Sequence, residues 1–121
     1  MIKNIATVGV YVEDQQKAKQ FWTEKIGFEV VAEHPMGPNA TWLEVAPPNA
    51  ESRLVIYPKS MRGGYDMPQV SIVFECEDIE DTYENMKTNG VEFERELNKA
   101  PWGTSAIFCD EDGNKFLIKG I

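Results

Sequence analysis

Histidine is nearly absent from this chain, and that scarcity limits the chemistry it can carry. The 121 residues include one histidine, His34. A metal site built from two histidines and one carboxylate is therefore impossible within one chain, and a Ser-His-Asp triad would have to use His34. That residue opens the breaker-rich stretch "HPMGPN". We interpret it as a solvated loop residue that lies away from any ligand position.

Cysteine is almost as scarce, and a hydrophobic run of membrane-spanning length is missing. Cys76 and Cys109 lie in apolar segments typical of strands and do not form a CxxC pair. We interpret them as small buried hydrophobic residues in a reducing compartment. No basic-then-apolar leader follows Met1. These features predict a soluble, cytoplasmic protein with no membrane as partner.

Basic residues are outnumbered by acidic ones, 12 to 20, which gives a formal net charge of −8. Nucleic acids and anionic membranes attract basic surfaces, so neither is an expected partner. An acidic surface suits a cationic ligand, although it also serves solubility alone. A chain of this length buries about two thirds of its unfolded surface, so its core needs no disulfide.

Motifs for nucleotide binding, nucleophilic serine catalysis and calcium binding are also missing. The chain contains no P-loop, no G-x-G-x-x-G after a strand and no G-x-S-x-G elbow. The stretch "DEDG" resembles part of an EF-hand loop. With Gly113 at the sixth position of that loop, however, Phe108 and Lys119 occupy the first and twelfth positions. Both positions require oxygen ligands, so a calcium loop is excluded.

What the chain does contain is one order of elements that occurs twice. "IATVGVYVED" alternates like a strand, and "DQQKAKQFWTEKIG" predicts a helix from an N-cap at Asp14 to Gly27. The apolar stripe of that helix is predicted to pack in the core, and it consists of Ala18, Phe21, Trp22 and Ile26. Three strands follow in "FEVVAE", "ATWLEVA" and "RLVIYP". Residues 1–58 thus form a β-α-β-β-β module.

The same order returns after a linker at residues 59–67. "QVSIVFECED" predicts a strand, and "DIEDTYENMKTNG" predicts a helix from Asp78 to Gly90. The strands "VEFEREL" and "TSAIFCD" follow, separated by the loop "NKAPWG". A turn at Asp112-Gly113 leads into a last strand that places Lys115, Leu117 and Lys119 on one face. Residues 68–121 are therefore a second module.

This pattern resembles the vicinal oxygen chelate superfamily, which includes glyoxalase I, extradiol dioxygenases and bleomycin-resistance proteins. The resembling segments are "VGVYVEDQQKAKQFWTEKIGFEVV", "VFECEDIEDTYENMKTNGVEF" and "PWGTSAIFCDEDGNKFLI". The resemblance implies an α+β fold in which two βαβββ modules form a single domain over residues 1–121. Their curved mixed sheets would form a cup, with one face of each sheet on helices and the other lining a cavity.

Metal-dependent members of that superfamily hold their metal with four side chains on the cavity faces. Carried over from the local motifs, those positions are Thr7, Glu44, Ser71 and Leu117. Two neutral hydroxyls and a leucine cannot hold a transition metal, which needs imidazole, carboxylate or thiolate ligands. We therefore expect neither a metal nor another cofactor.

The cavity wall follows from strand alternation together with the resemblance. The predicted ligand-binding residues are Tyr11, Trp42, Glu44, Arg53, Tyr57, Gln69, Ser71, Glu75 and Leu117, with Trp102 at the rim. For Trp42 and Tyr57, core packing is an equal alternative. For Glu44, an ion pair with Arg53 or another basic residue of the next strand is favoured over binding a cation or acting as a general base, since a buried charge is usually paired.

Two functional hypotheses remain open. The first is a homodimeric binding protein similar to the bleomycin-resistance branch, which holds a small cationic or aromatic molecule without chemistry. The second is a lyase or dioxygenase of the glyoxalase type, either metal-dependent or using Glu44 as its base. An interaction domain without a small ligand is a third possibility.

Overall fold

Residues 1–68 form the first of two compact units, and residues 69–121 form the second. This computed structural model describes residues 1–2, 5–38, 40–62, 71–101 and 103–120. Unit 1 contains β1 (Val8–Val12), α1 (Gln15–Gln20), β2 (Glu29–Pro35), β3 (Thr41–Ala46) and β4 (Leu54–Pro58), followed by a 3₁₀ turn at Lys59–Arg62. Its sheet has the order β1-β4-β3-β2. The β1–β4 pair is parallel, and the other two pairs are antiparallel.

Helix α1 begins at its predicted cap and continues past its regular part. The Asp14 carboxylate accepts hydrogen bonds from the backbone N–H groups of Gln16, at 2.9 Å, and Lys17, at 3.2 Å. A π-helical segment, Phe21–Ile26, extends the helix to Gly27, whose φ of 93° favours glycine. The helix predicted between Asp14 and Gly27 is therefore confirmed. Its second half has the wider turns of a π-helix.

The core of unit 1 lies between this helix and one face of the sheet. Ala18, Phe21 and Trp22 are buried, with Trp22 fully inaccessible, which confirms the interpretation of the two aromatic residues as core. The strand residues that alternate on this face are buried with them, and they are Val10, Val12, Leu43, Val45, Leu54 and Ile56. The side chains at the intervening positions face away from the helix, and of these Ala46 in β3 and Val55 in β4 are buried as well.

Unit 2 repeats this architecture. It contains β5 (Val73–Glu75), α2 (Ile79–Thr88), β6 (Glu92–Ala100), β7 (Gly103–Cys109) and β8 (Lys115–Gly120). The strand order β5-β8-β7-β6 corresponds position by position to that of unit 1, again with a parallel first pair. The predicted α+β fold of two βαβββ modules with mixed sheets is confirmed.

Helix α2 also follows its predicted pattern. The Asp78 side chain caps it, and Ile79, Tyr83 and Met86 form its buried stripe. The chain leaves the helix through Gly90 with a φ of 89°. No helix in the described part of the chain is long and apolar enough to cross a membrane.

Two strands of unit 2 differ in length from their predictions. Of the strand expected from residue 69 to 78, only Val73–Glu75 is extended among the described residues. In the described part of the sheet, β5 lies at the edge and pairs with β8 through Val73–Glu75. Its length is therefore set by how far this pairing extends. Conversely, β6 runs on to Ala100, which pairs with Gly103. The segment "NKA", predicted as loop, is therefore strand, because β7 supplies a partner for it.

The turn between β7 and β8 is organised by one buried carboxylate. Asp110 accepts hydrogen bonds from the backbone N–H groups of Asp112, at 3.0 Å, and Asn114, at 2.8 Å. Gly113 takes a φ of 82°, as the Asp-Gly signal predicts. Beyond the turn, Phe116 and Ile118 are buried. The predicted facing of β8 is thus confirmed, and Leu117 lies on the opposite side.

Candidate functional site

Aromatic side chains cluster on the side of the unit 1 sheet that faces away from α1. Tyr11 and Tyr57 are direct partners in the β1–β4 ladder, and their rings stack with centroids 5.3 Å apart. Trp42 meets Tyr57 edge to face at 5.9 Å. All three rings are half-buried. We call the surface formed by Tyr11, His34, Trp42, Glu44, Arg53 and Tyr57 the aromatic face.

Glu44 lies within this face with both carboxylate oxygens engaged. The indole N–H of Trp42 donates to Oε2 at 2.7 Å. The Arg53 guanidinium donates to Oε1 at 3.3 Å through Nη1. The structure therefore shows the pairing with Arg53 that the sequence favoured over a free general base. Because the carboxylate holds the indole N–H, it also fixes the orientation of the Trp42 ring.

Tyr57 is the centre of the cluster and remains a hydrogen-bond donor. Burial raises the pKa of its phenol, and the neighbouring Tyr11 and Glu44 raise that pKa further. All three effects disfavour the phenolate. Tyr57 is therefore a neutral phenol at physiological pH, with an O–H group that can donate.

A buried glutamine that the sequence did not single out sets the spacing of two of these rings. The Gln15 amide donates to the carbonyls of Thr41 and Ile56, each at 2.7 Å, and accepts from the Thr41 N–H at 3.1 Å. Thr41 directly precedes Trp42, and Ile56 directly precedes Tyr57. The helix thus ties together the two backbone segments that carry the edge-to-face pair.

Gly9 leaves the space that the Tyr57 ring occupies. A Cβ atom placed on Gly9 would lie 2.8 Å from Tyr57 Cε2 and 3.2 Å from Cδ2. These distances are shorter than a carbon–carbon contact at its energy minimum, which lies near 3.5–4.0 Å. The missing side chain at Gly9 therefore allows the ring to lie across β1 and stack on Tyr11.

Gly9→Ala is expected to displace the Tyr57 ring and to lower the free energy of unfolding by about 1–2 kcal/mol through overpacking. Urea unfolding would measure the loss, and near-ultraviolet circular dichroism would report the change in ring environment. Gly37→Ala is a poor comparison because of its φ of 106°. Ser52→Ala, at an exposed position before β4, is the better control. A Gly9→Ala protein with unchanged aromatic dichroism would contradict the assignment.

His34 lies elsewhere than the sequence indicated. It belongs to β2 rather than to a loop, pairs with Trp42 in the β2–β3 ladder, and stacks on that ring at 6.4 Å. The interpretation as a loop residue away from the ligand positions was wrong, although His34 is exposed as expected. Strand pairing continues to Pro35, since an edge strand tolerates proline at its end. The two-residue spacing between Ala32 and His34 in the sequence could have predicted that His34 continues the strand.

In unit 2, Leu117 is the centre of an apolar row across three strands. It pairs with Val73 on β5 and with Ile107 on β7. Ion pairs flank the row, Lys115 with Glu94 at 2.7 Å and Lys119 with Glu75 at 3.7 Å. The two lysines beside Leu117 are thus neutralised within their own sheet, while the leucine remains half-buried.

Leu117 and Glu75 also border a concave pocket of about 710 Å³. This volume is within the range of small-molecule sites. The residues that line it are Glu75, Cys76, Glu77, Gly103, Thr104, Ser105, Leu117, Lys119 and Gly120. Cys76 is half-buried rather than buried as predicted, and so is Cys109; both are free thiols. Burial raises the pKa of the Cys76 thiol, so it is a weak nucleophile.

Two further predicted positions, Thr7 and Ser71, lie outside the strands that were expected to carry them. Thr7 precedes β1 and is half-buried, and Ser71 precedes β5 and is exposed. Gln69 and Trp102 lie outside the described residues.

The four positions that hold metal in related enzymes do not fit a metal here. Leu117 has no lone pair, and Thr7 and Ser71 carry neutral hydroxyls, so Glu44 is the one carboxylate of the four. Within the described ranges, no group of three or more His, Cys, Asp or Glu side chains could hold an ion.

Comparison with known proteins agrees with this architecture. Residues 4–118 match the Glyoxalase/Bleomycin resistance protein/Dioxygenase superfamily. Bacillus subtilis (strain 168) YetH is 69% identical over 119 residues, which cover 98% of this chain and 99% of YetH. The crystal structure of UcmS2 aligns with a TM-score of 0.84 and 31% identity, over 98% of both chains.

An antibiotic binding protein, TnmS3 from Streptomyces sp. CB03234, aligns with a TM-score of 0.82 and 30% identity. The alignment covers 98% of this chain and 96% of TnmS3. The family match spans nearly all of the repeated β-α-β-β-β order, from before β1 into β8 as far as Ile118. The chain belongs to the glyoxalase/bleomycin resistance protein/dioxygenase superfamily.

Proposed function

We propose that the protein binds a small aromatic molecule on the aromatic face, without chemistry. The observation that carries this proposal is the arrangement of Tyr11, Trp42 and Tyr57, three half-exposed rings in fixed mutual orientation. Aromatic walls with a few placed polar groups are typical of small-molecule sites. The similarity to the antibiotic binding protein TnmS3 supports the same class of function.

The rings are better explained by binding than by core packing. The core of unit 1 is already formed on the other side of the sheet, by residues such as Trp22 and Val45 that are fully buried. The rings of the aromatic face keep part of their surface exposed. A planar ligand would cover that remaining apolar surface and gain stacking contacts in offset or edge-to-face geometry.

Glu44 is poorly placed to act as a general base, which disfavours the enzymatic alternative. A base must reach the proton that it abstracts. The Glu44 side chain keeps only 12% of its surface exposed, and its oxygens accept hydrogen bonds from Trp42 at 2.7 Å and Arg53 at 3.3 Å. Taking up a proton would remove the charge that pairs with Arg53, so the site favours holding a ligand over transforming it.

We also propose that the protein is a homodimer and that it is cytoplasmic, as the sequence predicts. In proteins of the bleomycin-resistance type, which this chain resembles, two copies assemble around their ligands. Size-exclusion chromatography with light scattering would give the mass of the particle in solution. A mass equal to one chain of 13.7 kDa at micromolar concentration would rule out the dimer.

Trp42→Leu is expected to weaken binding of a planar aromatic probe such as 2-naphthol by about five- to thirty-fold. The substitution removes the ring that contacts Tyr57 and His34, and one aromatic contact contributes about 1–2 kcal/mol with its buried area. Isothermal titration calorimetry of the wild-type and variant proteins measures the ratio of dissociation constants.

Phe28→Leu is the matched control for this experiment. Phe28 belongs to unit 1 and is not one of the six residues of the aromatic face, and its ring centroid lies 5.2 Å from that of Trp22. Its replacement should lower the melting temperature and leave the affinity for 2-naphthol unchanged. Equal losses of affinity in both variants would place binding elsewhere. The absence of any heat of binding with the wild-type protein would refute the proposed function.

A further inference from the structure

The charged pair on the aromatic face exposes its cation rather than its anion. The Glu44 side chain keeps 12% of its surface exposed, and the Arg53 side chain keeps 44%. Both oxygens of the carboxylate already accept hydrogen bonds. The guanidinium has five N–H donors, and the contact with Glu44 engages Nη1. A molecule that approaches this face therefore meets a positive group first, although the whole chain carries a net charge of −8.

Two other polar groups of the face, Tyr57 and His34, can also donate hydrogen bonds. Tyr57 is a neutral phenol, because burial and its neighbours raise its pKa. The imidazole of His34, stacked on Trp42 at the exposed side of β2, offers a ring N–H in either tautomer. The carboxylate of the face, Glu44, is largely covered, and each of its oxygens already accepts one hydrogen bond. A cationic ligand would therefore reach Glu44 less readily than an anionic ligand would reach Arg53.

We propose that the ligand is a planar aromatic compound that carries an anionic group, such as an aromatic carboxylate; this inference rests on the proposed function. Arg53 would bind the anionic group while the rings of the aromatic face stack on the aromatic part. Arginine and a carboxylate form two parallel hydrogen bonds, a geometry that also orients the plane of the ligand. Within a largely apolar surround, such a charge-assisted contact discriminates strongly against ligands that lack it. The acidic net charge of the chain thus does not determine the charge of its ligand.

Three probes with one ring system and different charge test this assignment. Titrations of 2-naphthoate, 2-naphthamide and 2-naphthylmethylamine, which is cationic at neutral pH, should rank the carboxylate first. We expect it to bind about ten-fold more tightly than the neutral amide, as one charge-assisted hydrogen bond allows. The cation should bind more weakly than the amide.

The double variant Glu44→Gln with Arg53→Gln should abolish the preference for the carboxylate. It removes the cation without leaving a buried carboxylate unpaired, and the new amide oxygen at position 44 can still accept from the Trp42 indole. The ratio of the naphthamide to the naphthoate dissociation constant should fall from about ten to about one. Arg53→Lys, which keeps the charge but loses the two-pronged geometry, should retain part of the ratio.

Lys19→Gln with Glu33→Gln is the matched control. This pair, with 2.8 Å between Lys19 Nζ and Glu33 Oε1, lies in the same unit but outside the aromatic face. Its removal changes the same charges and should preserve the ratio. A tighter complex with the cationic probe, or a ratio that persists in the Glu44/Arg53 double variant, would overturn the inference alone. Failure of all three probes to bind would overturn the proposed function together with it.

Discussion

Gln15→Met is expected to lower the free energy of unfolding by about 3 kcal/mol or more, because it leaves three backbone groups without their partner. The Gln15 amide donates to the Thr41 and Ile56 carbonyls and accepts from the Thr41 N–H. A buried polar group that loses its hydrogen bond costs about 1–3 kcal/mol. Methionine has nearly the same length, so the loss would reflect hydrogen bonding rather than a cavity. Urea unfolding measures it.

Gln16→Met provides the control, since Gln16 is the exposed neighbour on the same helix turn. Its effect should be within about 0.5 kcal/mol, as for most surface substitutions. The Gln15→Met protein should also bind 2-naphthol more weakly, because Trp42 and Tyr57 follow the two segments that the amide joins. Equal stability of the two variants would show that the amide is not required to hold β3 and β4.

The repeated β-α-β-β-β order could be predicted from the sequence because its signals are local. Each helix begins and ends at a signal that acts on residues within one turn of it. These signals are the N-caps Asp14 and Asp78 and the glycines Gly27 and Gly90. The facing of each strand follows from two-residue alternation, which fixes Leu117 opposite Phe116 without knowledge of its neighbours. These features need no partner segment, so one sequence is sufficient.

Strand lengths and the position of His34 could not be obtained in this way. A strand extends as far as its partner offers hydrogen bonds, so β2 continues to Pro35 because Thr41 is opposite. Composition alone favoured a loop for the segment "HPMGPN", and the pairing overrode it. The same reason explains why β6 includes "NKA" and why β5 is only three residues long.

The candidate site was predictable in its residue types but not in its connections. Alternation placed Trp42 and Glu44 on one face, and the choice of Arg53 as a partner rested on charge balance. Neither argument could show that the indole N–H is the second partner of the carboxylate, at 2.7 Å. Gln15 was missed because its polar side chain favours an exposed helix position, whereas its partners are carbonyls far away in the sequence.

Phe108→Ala is expected to lower the free energy of unfolding by about 3–5 kcal/mol, as for other fully buried phenylalanines. Phe108 has no exposed surface and is the ring that joins the aromatic core of unit 2. Its centroid lies 5.3 Å from that of Phe116, 6.3 Å from Phe74 and 6.4 Å from Phe93. Removing it takes away contacts to three neighbours at once, and a rigid β-sheet collapses poorly around such a cavity.

Val73→Ala tests whether this loss belongs to the buried face of the unit 2 sheet. Val73 pairs with Leu117 on the other face and keeps 48% of its surface exposed. Its replacement should cost less than about 1 kcal/mol, since little transfer energy is lost and no closed cavity forms. Comparable losses from Val73→Ala and Phe108→Ala would mean that the face carrying Leu117 is packed as tightly as the core. Leu117 would then be a structural residue rather than the wall of a ligand pocket.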